Sequence, residues 1–141
     1  MVISARVHYA CLAMLELTMR ADDSAPVAVR EITDRHQIPG PFLAQILRPL
    51  RVAGWVQSVR GSQGGYRLTV DPGQITLLDI AEAMACQAAH NHLTDNPTGS
   101  ATALQQVWDD ADEASRAVLS SMRLSDLAQR CREGEATMFY I

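Results

Sequence analysis

The chain has 141 residues, of which 48 % are hydrophobic, 20 % charged and 5 % aromatic, with a formal net charge of −4. A domain of this length buries roughly 65–70 % of the surface its unfolded chain exposes, so a real core is available, and the composition excludes both a disordered chain and a coiled rod. All twelve basic residues are Arg, and they are unevenly spread: residues 1–70 carry eight Arg against five acids, the remainder four against eleven, so a polyanion would meet the first half and be repelled by the second.

Ser4 can cap a first helix running to about Arg20, with Val7, Ala10, Cys11, Met14 and Leu17 making it apolar on most sides, which suits a core or a dimer seam. Its apolar run from Val7 to Leu17 is broken by His8 and Glu16 and falls short of the roughly 20 residues a bilayer crossing needs, so no membrane span is expected. No small-residue cleavage site follows it, which argues against a secretory signal and for a cytoplasmic protein. The stretch Asp22-Asp23-Ser24-Ala25-Pro26 ends the helix, and Val29–His36 reads as a two-turn helix without a good cap.

Ile38-Pro39-Gly40-Pro41 makes a tight turn, and Pro41 suits the first position of a third helix carrying Leu43, Ile46, Leu47 and Leu50. Pro49 inside that helix removes a hydrogen bond and costs about 3 kcal/mol unless the helix bends, so a kink or an early end after Arg48 is expected. Val56–Arg60 and Tyr66–Val70 alternate like strands around the loop Gly61-Ser62-Gln63-Gly64-Gly65, which predicts a β-hairpin with a basic, glycine-rich tip. Thr76-x-x-Asp79 resembles a capping box opening a helix through Met84. A polar loop from Gln87 to Gly99 leads into a long helix over about Ser100–Ser121, where Leu104, Val107, Trp108, Ala111 and Val118 oppose Asp109, Asp110, Asp112 and Glu113. A last short helix is expected to start at Ser125 and to include Leu127.

Two short helices across a tight turn, followed by a basic hairpin, form the order of a winged helix-turn-helix, whose second helix enters the major groove of DNA. Gln45 can offer an amide to adenine, Arg48 and Arg51 can grip phosphate or guanine, and the hairpin tip can carry Arg60 into the minor groove, with Gly64 and Gly65 allowing close backbone approach. A single Arg among these would read as a solvated helix charge; their joint placement favours a duplex.

Phe42-Leu43-Ala44-Gln45-Ile46-Leu47-Arg48-Pro49-Leu50-Arg51-Val52-Ala53-Gly54-Trp55-Val56, the wing Val59-Arg60-Gly61-Ser62-Gln63-Gly64-Gly65-Tyr66, and Ile75-Thr76-Leu77-Leu78-Asp79-Ile80 closely resemble the Rrf2 family of bacterial transcription regulators. The resemblance implies a mostly α fold with a small β-hairpin: a winged helix-turn-helix DNA-binding domain over 1–86, a sensor-type loop over 87–99, and a dimerisation helix with its tail over 100–141. It further implies a homodimer that binds a partly palindromic double-stranded operator and usually represses in response to a redox, metal or small-molecule signal. The DNA-contact set it suggests is Arg30, Pro41, Gln45, Arg48 and Arg51 on the helices and Arg60, Gly61, Ser62, Gln63, Gly64, Gly65 and Tyr66 on the hairpin. Pro41 and Ala44 depart from the hydroxyl and glutamate that relatives often place there.

Several members of that family hold an iron–sulfur cluster on three loop cysteines. Cys11, Cys86 and Cys131 do not supply that triplet, and thiolates are what tether such clusters. The cysteines also form no C-x-x-C pair, which excludes a disulfide framework and a zinc ribbon. The candidate ligands that remain are His8, at a place where some relatives contribute a residue from the second subunit, with Cys86, His90 and His92; imidazole and thiolate suit a metal, an unusual cluster or haem. The plainer alternatives are a packed His8 and a solvated loop. No phosphate-binding loop, G-x-S-x-G or paired base and nucleophile is present, which argues against an enzyme. The competing reading is a winged-helix module that binds a protein rather than sequence-specific DNA.

Overall fold

The computed structural model describes residues 3–85 and 95–138. Helix α1 spans Ala5–Met19, and the Ser4 hydroxyl caps it by accepting from the Val7 amide at 3.2 Å. Ala10, Ala13, Met14, Leu15 and Leu17 are buried, so this helix is the central post of the core. Helix α2, Val29–His36, starts without a side-chain cap, as its sequence predicts. Helix α3, Gly40–Val52, buries Leu43, Ile46, Leu47 and Leu50 on one face.

The early end expected after Arg48 does not occur: α3 continues through Pro49 to Val52. Pro49 lies within the last turn, so few residues follow it, and Leu50, fully buried, anchors that turn. The carbonyls beyond it are used, with Ala53 donating to Pro49 at 3.0 Å and Trp55 to Leu50 at 3.1 Å. A proline this close to a helix end costs less than one in the middle, because little helix remains beyond the missing bond.

Strands β1, Val56–Val59, and β2, Gly65–Leu68, pair antiparallel in the register Val56 with Leu68 and Val59 with Gly65. After a 3-10 turn at Pro72–Gln74, helix α4 spans Leu77–Met84. Its capping box is complete: the Thr76 hydroxyl accepts from the Asp79 amide at 3.1 Å and the Asp79 carboxylate from the Thr76 amide at 2.9 Å.

Helix α5, Gly99–Ser121, buries none of its residues. The chain then turns back, with Leu77 donating to Met122 at 3.0 Å and Leu124 to Ile75 at 2.8 Å. Helix α6 runs over Leu124–Met138, longer than the short helix its sequence suggested. The cause is tertiary: Leu124 and Ala128 are buried, and Leu127 and Cys131 pack against the core beside them, so one stripe at helical spacing rests on the body of the domain. No described helix is long and apolar enough to cross a membrane.

Candidate nucleic-acid interface

The turn between α2 and α3 is held by local chemistry. Gln37 sits in the left-handed region at φ 54°, its side-chain amide donates to the Asp34 carbonyl at 2.8 Å, and the Ile38 amide donates to Thr33 at 3.1 Å. Ile38 is buried and staples the turn to the core. With Leu43, Ile46, Leu47 and Leu50 inward, α3 turns Pro41, Ala44, Gln45, Arg48 and Arg51 to the surface. Its first turn holds no acid and no side-chain cap, but its amides are largely used: Phe42 and Leu43 both donate to the Pro39 carbonyl at 3.0 Å, and Pro41 has no N–H to offer.

Helix α2 is fastened to α1 through Glu16, a carboxylate only 2 % exposed. His36 Nε2 lies 3.1 Å from Glu16 Oε2, the Arg35 guanidinium donates to Oε1 at 3.5 Å, and Arg20 stands 3.6 Å away. Arg20 also pairs with Asp23 at 2.9 Å and Glu31 at 3.1 Å, and the hydrogen bond to Asp23 raises its pKa further above the ordinary guanidinium value. Arg20 and Arg35 are therefore committed to structure. Arg67 is committed as well, donating to the Ser24 carbonyl at 2.8 Å.

The hairpin projects Arg60, Gly61, Ser62 and Gln63 as an exposed tip, closed by a hydrogen bond from the Gly64 amide to the Gly61 carbonyl at 3.0 Å, with Gly61 at φ 114°. Its base is tied to the segment before α2, Val27 donating to Tyr66 at 2.9 Å and Tyr66 to Val27 at 2.8 Å. Gly64 and Gly65 have a reason internal to the protein. A Cβ on Gly65 would overlap the Val27 carbonyl, and one on Gly64 the Val59 carbonyl, so the glycines let the hairpin close on itself and against the body. Tyr66 is half-buried.

Among the described residues, Arg48, Arg51 and Arg60 form no ion pair, whereas Arg30, although 91 % exposed, lies 3.8 Å from Asp34. The structure thus leaves α3 and the tip with uncompensated guanidinium groups on exposed surfaces, a combination that suits phosphate.

His8 is exposed on α1, its ring 5.9 Å from that of Tyr9, which packs edge-on against Phe42 at 5.3 Å. Cys86, His90 and His92 lie outside the described residues. Among the described residues no three His, Cys, Asp or Glu side chains gather where they could hold a metal ion. Burial pushes the Cys11 thiol up to about 11, as befits a small apolar residue rather than a nucleophile.

Sequence reasoning passed over two features. Arg6 lines a groove beside α3, and its Nε is buried with no hydrogen-bond partner among the described residues. The available signal was its place in a first helical turn that contains no acid, where the helix dipole disfavours a cation. Glu16 looked like an interruption of an apolar run, and nothing local announces partners 19 and 20 residues away.

The model of the family described as Rrf2, iron-dependent transcriptional regulator, matches residues 3–130. The HTH-type transcriptional regulator CymR of Bacillus subtilis is 32 % identical over 142 residues, covering 100 % of both chains. IscR of Aliivibrio salmonicida is 31 % identical over 130 residues, 90 % of this chain and 77 % of that protein. Among solved structures, T. potens IscR superposes with a TM-score of 0.79 at 30 % identity, covering 95 % of this chain and 90 % of the other. CymR, the global cysteine regulator of B. subtilis, superposes with a TM-score of 0.77 at 29 % identity, covering 92 % and 98 %. The winged helix-turn-helix architecture, the uncompensated cations on its third helix and hairpin, and these likenesses converge: the chain belongs to the Rrf2 family of DNA-binding transcription regulators.

Proposed function

We propose that the protein is a homodimeric repressor that reads a partly palindromic operator with α3 in the major groove and the Arg60 tip in the adjacent minor groove. The observation that carries this is the joint exposure of Gln45, Arg48, Arg51 and Arg60 on α3 and the hairpin, with no carboxylate paired to any of these Arg among the described residues. On that reading Gln45 and Arg48 contact base edges, while Arg51 and Arg60 hold phosphates or the minor groove. Pro41 and Ala44 bring no hydrogen-bonding side chain, so the operator is read by fewer polar contacts at that end of α3.

Dimerisation is assigned to α5. At about 1.5 Å per residue its 23 residues make a rod of about 34 Å, and Leu104, Val107, Trp108 and Val118, each more than half exposed, fall on one stripe opposite Asp109, Asp110 and Glu113. An apolar stripe of this kind on an otherwise polar helix marks an interface. The sensing limb rests on sequence: His8 with Cys86, His90 and His92 is the ligand set to test, by absorbance and metal content of protein purified without oxygen, and a colourless, metal-free dimer with full operator affinity removes it.

The test of the regulator reading is titration of a duplex from the protein's own promoter at several salt concentrations. Specific binding whose logarithm falls linearly with the logarithm of salt supports it, since neutralised phosphates release counterions. Affinity that is absent, or indifferent to salt, refutes it and favours a protein-binding module.

A further inference from the structure

An open groove of about 630 Å³ lies between the first turn of α1, the C-terminal half of α3 and α4. Its walls are unlike the rest of the surface. Arg6, Gln45 and Arg48 supply two guanidinium groups and an amide, and Pro49, Val52, Ala53 and Ala83 supply a short apolar floor. Among the described residues no carboxylate lines it, and neither Arg6 nor Arg48 is in an ion pair.

Three observations show that the groove is chemically incomplete. Arg6 Nε is buried and has no hydrogen-bond partner among the described residues, a state that costs free energy unless something accepts from it. Arg6 stands in the first turn of α1, which has no acid, so a cation sits at the positive end of a helix and both call for an anion. Val52 is 81 % exposed at the end of a helix whose other aliphatic side chains are mostly buried, beside Pro49 and Ala53, so the cationic end of the groove has an apolar neighbour. An anion alone would neutralise the charges of Arg6 and Arg48; an anion with an aliphatic body would also cover Val52.

We propose that this groove binds a small organic anion, a carboxylate or phosphate on a short aliphatic body, in competition with the operator. The headgroup is held by Arg6 and Arg48, with Gln45 donating its amide, and the body lies on Pro49, Val52 and Ala83. The volume is in the range of small-molecule sites. Because Gln45 and Arg48 belong to the surface of α3 assigned above to DNA, the same side chains cannot serve both ligands at once, and occupancy of either weakens the other by the same factor. This coupling rests on the DNA-binding reading; the site itself does not.

The test uses the full-length protein, isotopically labelled so that arginine Nε–H signals are visible, with the Arg6 signal assigned by its loss in Arg6→Gln. Isovalerate and isobutyl phosphate are the probes, and isovaleramide and inorganic phosphate the controls for charge and for the aliphatic body. The expected result is a saturable shift of the Arg6 signal by both organic anions, at least about tenfold weaker for each control, with a parallel shift of the Arg48 signal that is lost in Arg6→Gln and partly restored in Arg6→Lys, melting temperature confirming that the variants fold. Isovalerate should also weaken operator binding by wild type and not by Arg6→Gln. Equal shifts from isovalerate and isovaleramide, equal shifts from isobutyl phosphate and inorganic phosphate, or no shift from any small anion overturns the proposal. A signal moved by duplex DNA alone also overturns it, making Arg6 a phosphate contact of the operator surface. Failure of the duplex to bind under all conditions refutes the regulator reading and leaves the direct anion titration standing.

Discussion

Gly65→Ala tests whether the wing is held in place by contact between its base and the segment before α2. The added Cβ would overlap the Val27 carbonyl oxygen and carbon and crowd the Ala28 amide. All three are backbone atoms, so no side chain can swing aside, and overpacking of this kind costs about 1–3 kcal/mol. Relief requires the hairpin to move away from Val27, which stretches the two hydrogen bonds between Val27 and Tyr66, each worth about 1 kcal/mol net. The expected loss is about 2–4 kcal/mol, which for a domain of this size lowers the melting temperature by roughly 6–15 °C. Differential scanning calorimetry measures it, with Gly134→Ala as the control. Gly134 lies in α6 with open space around its missing Cβ, so alanine there should stabilise by about 0.5–1 kcal/mol. In operator titrations Gly65→Ala should lose affinity even well below its melting temperature, because the wing and α3 no longer hold one relative position. A melting temperature within about 2 °C of wild type refutes the steric reasoning, and unchanged operator affinity in a destabilised variant refutes the role given to the wing.

Arg60→Ala should weaken operator binding by about tenfold and flatten its salt slope by about one unit, while sedimentation shows an unchanged assembly; unchanged affinity removes Arg60 from the interface. Trp108→Asp, at a position 56 % exposed in the isolated chain, should leave helix content intact and weaken self-association by at least about thirtyfold in analytical ultracentrifugation; an intact dimer moves the seam off this stripe. The raised Cys11 pKa has a signed consequence. Below the ordinary thiol value, 9.0, both folded and unfolded chains keep the proton; above it the unfolded chain loses it while the folded one holds it to about 11. Stability should therefore fall as pH rises through that window, by a limiting slope of about 1.4 kcal/mol per pH unit, and urea titrations of Cys11→Ala should lack this component. Equal pH slopes for the two proteins would show that burial does not hold the proton on Cys11.

The local elements were legible because their causes lie within one or two turns of chain. Ser4 before an apolar helix, Thr76 with Asp79, the alternation around Gly61–Gly65 and the stripe of α5 each specify structure through neighbours in sequence, and the arrangement of helix, turn, helix and hairpin pointed to the winged architecture and its family. Less was legible where the cause is a distant surface. Pro49 argued for a break that a buried Leu50 and the nearby helix end make unnecessary, and α6 extends because Leu124, Ala128 and Cys131 find a body to rest on. Gly64 and Gly65 were recognisable as a flexible tip, but their requirement comes from carbonyls of Val59 and Val27.

Composition and spacing alone determined that the chain is helical, that its cations are concentrated in the first half and that a basic ribbon follows a two-helix unit. Only the folded chain decided which of those cations are available. Arg20, Arg35 and Arg67 end against Glu16 and the Ser24 carbonyl, while Arg6, Arg48, Arg51 and Arg60 are left without a carboxylate among the described residues. The physical reason is one of range: caps and helical stripes depend on residues a few positions apart, whereas a guanidinium is neutralised by whichever carboxylate the packing of helices brings within a few ångströms.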